Sequence, residues 1–295
     1  MPEQTEVLAL TPAVVAGAFR LACRFDVLSF KPGNVSIRAA GHRMQARDFL
    51  TSAKVAARSV AHAEAGLGTA IYQAVAATQA AVGCNTNLGI LLLCVPLAHA
   101  ALRASTATDL AARTRAILAT STCDDAVHAF AAIRLANPAG LGRVAAHDVA
   151  TAPTLTLTAT MRLAAERDSI AAQYANGFDA IFSEGLPLLR RERAERGRLS
   201  HAVTACYLHF LSTRPDSLIA RKCGTAIAAR VAARASLVTS LLEACEDPRR
   251  RLSILRAFDS ELKDEGVNPG TSADLTVASL LALLLDAPLK RLASR

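Results

Sequence analysis

The sequence predicts an all-α fold, and three observations predict it. The apolar half of the chain (52% of 295 residues) is mostly Ala and Leu, with 4% aromatics and no Trp. Ala and Leu are strong helix formers, whereas strands favour β-branched and aromatic side chains. Apolar residues recur at helical spacing along the chain, and no strand-like alternation is sustained. Turns rich in Gly, Pro, Asn or Asp punctuate that pattern. No repeat with a period of roughly 20–50 residues is present, which argues against a solenoid. No linker separates two charge regimes, so the expectation is one domain over residues 1–295, a multi-helix bundle.

Thr11 and Pro12 give an N-cap and first-turn signature that opens a helix over 12–28. The polar stretch 29–47 interrupts it, and Asp48 begins a second helix, 48–65, where the helix dipole favours an acid. A third covers 69–82 and stops at Gly83. GCNTNLG (83–89) then leads into an apolar helix over 88–104. Asp109 and Asp124 start short amphipathic helices, 109–120 and 124–135, before a Gly- and Pro-containing loop, 137–153. Longer helices follow over 154–177, 179–196, 199–212, 217–245 and 248–265, and a last one over 272–286 after GVNPGTS.

Composition narrows the function classes. The net charge of +8 suits an anionic partner, with Arg clustered at 190–198 and 249–256 and a basic C-terminus. Such runs read first as solvated helix faces. No aromatic platform accompanies them, so nucleic acid is not the expected partner. Seven Cys occur singly, with no CxxC pair, and read as reduced thiols packed as small hydrophobes. The N-terminus MPEQTEV lacks the basic start of a signal peptide. The longest apolar run, 88–102, falls short of the ~20 residues that span a bilayer. A cytoplasmic protein without membrane partners is expected. GxGxxG, GxxxxGK[ST], GxSxG and HExxH are all missing.

Four polar segments remain as candidates. In Lys31-Pro32-Gly33-Asn34, a cation stands beside a backbone that can turn sharply, a combination suited to phosphate, and His42 and Asp48 follow. Gly83–Gly89 presents Asn85, Thr86 and Asn87 at the start of the apolar helix, where amides and a positive helix end suit an anion or a sugar hydroxyl. Asp216 and Ser217 open a helix that carries Arg221 and Lys222. Asn268-Pro269-Gly270 turns into a helix with Asp274 in its first turn. Each segment also reads as a simple turn or cap.

Taken in order, KPGNVS, GH…DF, GCNTNLG, DSLIARKCG and NPGTSADL resemble the triphosphoribosyl-dephospho-CoA synthase family from about residue 12 to 290. The most specific elements are KPGNV, NTN and NPG-x-x-ADL. The resemblance implies a helical transferase that uses ATP as ribosyl donor. The 2′-hydroxyl of 3′-dephospho-CoA attacks the anomeric carbon of the ATP ribose, and adenine leaves. The chain departs from the family in GHRMQARDF, where the acid Asp48 lies further on, and in NTN, where Asn87 replaces a His. Residues 140–148 and 161–178 look like a diverged branch, found in organisms with pterin-based one-carbon carriers, which leaves the acceptor open.

On this reading Lys31, Arg221 and Lys222 bind phosphate, and Asn34, Asn85, Asn87 and Asn268 bond ribose or base. Asp48, Asp216 and Asp274 compete as general base, with His42 as an alternate, and Asp216 and Asp274 are the candidate ligands for Mg²⁺. Glu166 and Asp168 are expected to be solvated salt-bridge residues. A homodimer is left open. Two rivals are a Mg²⁺-dependent nucleotide hydrolase and a helical RNA-binding protein.

Overall fold

The computed structural model describes residues 9–37, 44–105, 109–138 and 149–293. His42 therefore lies outside the described residues. Fourteen α-helices and one π-helical segment account for most of the described chain, with no strand among them. In order they are α1 (Pro12–Leu28), α2 (Ala46–Val60), α3 (Leu67–Val82), α4 (Leu88–Leu102), α5 (Leu110–Ala119) and α6 (Cys123–Ala136). Next come α7 (Leu157–Ala164), α8 (Ser169–Asn176), the π segment Ala180–Gly185, α9 (Leu186–Arg196) and α10 (Leu199–Thr213). The chain ends with α11 (Ser217–Cys223), α12 (Thr225–Glu243), α13 (Pro248–Asp264) and α14 (Gly270–Ala293).

The all-α expectation holds, and the differences are breaks inside expected helices. The helix expected over 154–177 is two, because Asp168 leaves the helix and caps α8. Its Oδ1 accepts from the amides of Ile170 (2.9 Å) and Ala171 (3.1 Å), the local bond that makes Asp favour caps over interiors. The helix expected over 217–245 breaks at Gly224, whose φ of +97° is open to glycine and rare for other residues. The helix expected over 179–196 starts as the π segment. Pro187, just beyond it, has no N–H for the Ser183 carbonyl, and its ring crowds that carbonyl.

α4 and α14 pack against each other and gather the other helices around them. α4 is buried along nearly its whole length, which explains why its sequence is apolar on every face. Pro96 inside it removes the amide that would satisfy the Leu92 carbonyl four residues back. The buried Tyr174 hydroxyl of α8 donates to that carbonyl at 2.6 Å, so the lost bond is made good from a neighbouring helix. A second apolar cluster joins α10, α11, α12 and α13, with Tyr207, Leu211, Val231, Phe258 and Leu262 at its centre. Thr225–Glu243 and Gly270–Lys290 are long and apolar enough to cross a membrane by composition. The second is mostly buried among other helices, as a core helix is.

His99 of α4 is fully buried, and neither ring nitrogen has a hydrogen-bond partner among the described residues. Burial, reinforced by the nearby Arg103 charge and opposed by Asp125, lowers its pKa from 6.5 to about 4. Between these values the unfolded chain binds a proton that the folded chain refuses. The contribution of His99 to stability is therefore complete above about pH 6.5 and lost as pH falls towards 4, about 3 kcal/mol in total. Urea midpoints measured from pH 7 to 4.5 should fall more steeply for the native chain than for His99→Leu; equal slopes would refute this assignment.

Candidate active site

The KPGN turn leaves α1 and is anchored by side chains from four directions. The Lys31 ammonium is buried, ion-paired with Asp26 of α1 and 2.9 Å from Asn34 Oδ1. It also stands 5.9 Å from the centre of the Tyr207 ring. The Tyr207 hydroxyl donates to the Pro32 carbonyl (2.5 Å), and the Gly33 amide donates to Asp259 (2.8 Å). Gly33 has φ +77°, and a Cβ there would come within 2.9 Å of Leu262 and Pro269, so the turn needs glycine for both backbone and space. The Asn34 amide donates to Asn268 Oδ1 at 3.0 Å, joining the first candidate segment to the last across 234 residues.

A cavity of about 1590 Å³ opens beside this turn. Asn34 lines it, as do Asn85, Asn87, Arg221, Lys222, Asn268 and Asp274, so residues from all four candidate segments border one space. The first residues of α4, α8, α11, α12 and α14 also form its wall. Helix N-termini present unpaired amides and partial positive charge, which favours anions. Single-ligand pockets run to about 1,000 Å³ at most, so this cavity has room for two substrates at once. Leu88, Ile90, Leu92, Phe130, Ile133 and Met161 give it an apolar side.

Asp274 is the unusual group. Burial raises its carboxyl pKa well above the ordinary value, the charges of Asp26 and Asp216 raise it further, and Lys31 opposes them. Among the described residues no hydrogen-bond donor reaches it. Its Oδ2 lies so close to α4 that a Cβ on Gly89 would sit 2.0 Å away. The glycine of NTNLG thus exists to admit the aspartate of ADL.

Several expected site residues do other work. Lys31, expected as an accessible phosphate cation in a polar turn, is buried and paired with Asp26, so its charge is spent inside the protein. Asp216, expected as base or metal ligand, accepts four hydrogen bonds, from the amides of Leu218, Ile219 and Ser272 and the Ser272 hydroxyl. A carboxylate has about four lone-pair sites, so Asp216 caps α11 and ties it to α14 with none left for a metal. Asp48 forms a capping box at the start of α2, accepting from the Gln45 amide, and is not in the cavity wall. Asn85 Oδ1 accepts from the Leu88 amide and Asn87 donates to Thr78, so both wall amides are held by the frame of α4. Asp168 forms a salt bridge as expected, but half-buried on the cavity wall, where its Oδ2 holds Arg221 at 3.0 Å.

Sequence reasoning missed Asp26, Arg214 and Glu184, all of which line the cavity, and gave Asp168 no place in the site. A signal existed for Asp26. It falls on the stripe of Val15, Phe19, Ala22 and Cys23 that α1 buries, and an acid on an apolar stripe needs a partner.

Among the described residues, helices thus surround one large cavity that collects cations, helix N-termini and a half-buried carboxyl, a site suited to phosphorylated substrates. The comparisons make this specific. The ATP:dephospho-CoA triphosphoribosyl transferase family matches residues 12–292. The chain belongs to that family. It is also similar to a crystal structure from Archaeoglobus fulgidus described as a triphosphoribosyl-dephospho-CoA synthase. That similarity has 25% sequence identity and a TM-score of 0.62, and covers 80% of this chain and 98% of the other. No protein of curated function matches the sequence significantly.

Removing the Lys31 ammonium would leave Asp26 buried and uncompensated, a change that typically costs about 3–5 kcal/mol. Lys31→Met should therefore lower stability by that amount in denaturant titrations, and Asp26→Asn in the same chain should restore part of it. A Lys31→Met protein of native stability would place the ammonium in solvent.

Proposed function

We propose that the chain transfers the 5-triphosphoribosyl group of ATP to the 2′-hydroxyl of 3′-dephospho-CoA and releases adenine, within one domain. The observation that carries this is the meeting of all four polar segments at a cavity large enough for both substrates. In the reaction the acceptor oxygen bonds to C1′ of the ribose, the bond from C1′ to adenine breaks, and the hydroxyl proton ends on the departing base. The triphosphate stays attached throughout, so the protein needs lasting charge cover for it. Arg221, Lys222 and the helix N-termini serve that purpose.

Asp274 is the general base. A carboxylate whose pKa is raised above its ordinary value is a stronger base and takes a proton from a hydroxyl more effectively. Asp26, ion-paired with Lys31 on one oxygen, also lines the cavity and adds negative charge to it. Asn34, Asn268, Asn85 and Asn87 are restrained by their own hydrogen bonds, which fixes the amides that would meet ribose or base. The apolar side of the cavity excludes water from a carbon that water could otherwise attack.

Mg²⁺ fits this site in a limited way. It is commonly held by one or two carboxylates together with substrate phosphates. Asp26 Oδ2 engages no donor among the described residues and faces the same neighbourhood as Asp274. Asp26 would hold the ion with the ATP phosphates, and the ion would neutralise the triphosphate.

Incubation with ATP and dephospho-CoA, followed by chromatography, should yield free adenine only when both are present; phosphate release without adenine would defeat the proposal. Asp274→Asn should lower kcat by about 10²- to 10⁴-fold while ATP still binds. The base must be ionised, so kcat/KM of the native chain should rise with pH through a midpoint above the usual carboxylate range. Asp274→Asn should lose that limb, and an unchanged profile would assign the base elsewhere.

A further inference from the structure

Glu184, His209 and Arg214 form a cluster on the cavity that neither the sequence motifs nor the transfer step accounts for. Glu184 lies in the π segment, a winding that is rare and frequent at functional sites. The turn that feeds it is strained as well, because the buried Phe178 adopts φ +67°, uncommon for a bulky side chain. The result is that Glu184 reaches the cavity wall and meets two donors from α10 and its end. One is His209 Nε2 at 2.9 Å, and the other is an ion pair with Arg214. Burial works against the Glu184 charge, but Arg214 and His209 outweigh it and hold the carboxyl below its ordinary pKa.

Arg214 is held on a second side by the Phe210 ring, 5.2 Å from its guanidinium carbon. Phe210 is fully buried, so this face cannot yield. Only one guanidinium nitrogen is on Glu184, and among the described residues the other two meet no acceptor. Both Arg214 and Glu184 line the cavity, and each side chain is about one-quarter to one-third exposed (26% and 32%), so the fork is fixed yet reachable. A planar fork fixed by a carboxylate and a ring is suited to an oxygen pair of a phosphate group, and little is lost in ordering it.

We propose that Arg214 binds a phosphate group of one of the two substrates, and that Glu184 and His209 are its positioning residues. This rests on the transferase reading, in which both the ATP triphosphate and the acceptor diphosphate are available to it. Isothermal titration of the full chain with tripolyphosphate and with pyrophosphate, beside KM for ATP and for dephospho-CoA, tests it. Arg214→Met should weaken one probe roughly ten- to a hundredfold, the scale of a lost charge-assisted hydrogen bond. Loss confined to tripolyphosphate and the ATP KM assigns the triphosphate; loss confined to pyrophosphate and the acceptor KM assigns the acceptor. Arg214→Lys should recover part of the affinity, and Glu184→Gln should raise the same KM with kcat nearly unchanged. These two variants also carry the test if Arg214→Met fails to fold. If wild type and Arg214→Met bind both probes alike, with the same KM values, the proposal is overturned. It is overturned equally if wild type binds neither probe. Probe binding that depends on Arg214 in a protein that releases no adenine would uphold the anion site and remove the transferase reading.

Discussion

The buried ion pair of Lys31 with Asp26 is the constraint on which the site depends. An ammonium out of water needs a carboxylate and further acceptors around it, and Asn34 supplies one. Satisfying Lys31 fixes the KPGN turn, and the turn then fixes its neighbours. Pro32 accepts from Tyr207, Gly33 donates to Asp259, and Asn34 reaches Asn268. Helices distant in sequence are thus joined by polar bonds around one lysine. The same pair sets the chemistry, because the Asp26 charge is part of what raises the Asp274 carboxyl and the Lys31 charge limits that rise.

A second theme is the double use of helix starts. α4, α8, α11 and α14 each begin at the cavity, and each beginning carries Asn, Asp, Ser or Thr because such residues satisfy the first amides of a helix. Most of these polar groups are consumed in that task. Asp216 is the extreme case, with all its acceptor sites filled by α11 and α14. Asp168 divides its oxygens, one for the cap of α8 and one for Arg221. Asp274, one turn inside α14 instead of ahead of it, is spared the capping role and keeps its carboxyl for the cavity.

Individual residues show what was legible in the sequence. Ala and Leu at helical spacing determined the all-α class, and Thr11, Gly83, Asn87 and Pro248 marked helix ends close to where they fall. The order of KPGNV, NTN and NPG-x-x-ADL determined the family, and those segments do converge on one cavity. Local sequence also contained the breaks at Asp168 and Gly224, but tertiary contacts chose between a continuous helix and a capped restart. Arg221 on Asp168 favours the restart, as does the Ser169 amide on Ser217.

The tertiary structure alone decided what each polar side chain does. A one-dimensional pattern states that Lys31, Asp48, Asp216 and Asp274 are polar residues near helix ends, a description shared by caps, buried pairs and catalytic groups. Their roles separate only when partners and burial are fixed in space: Lys31 within reach of Asp26, Asp48 on its own helix start, Asp216 between two helices, Asp274 against Gly89. Glu184 and Arg214 are thirty residues apart and meet only because a π segment and the end of α10 pack together. Helical propensity acts over a few neighbouring residues, so the sequence alone determined the all-α class and the family. Electrostatics and desolvation act across the packed interior, so only the fold decided which charges were buried and which face the cavity.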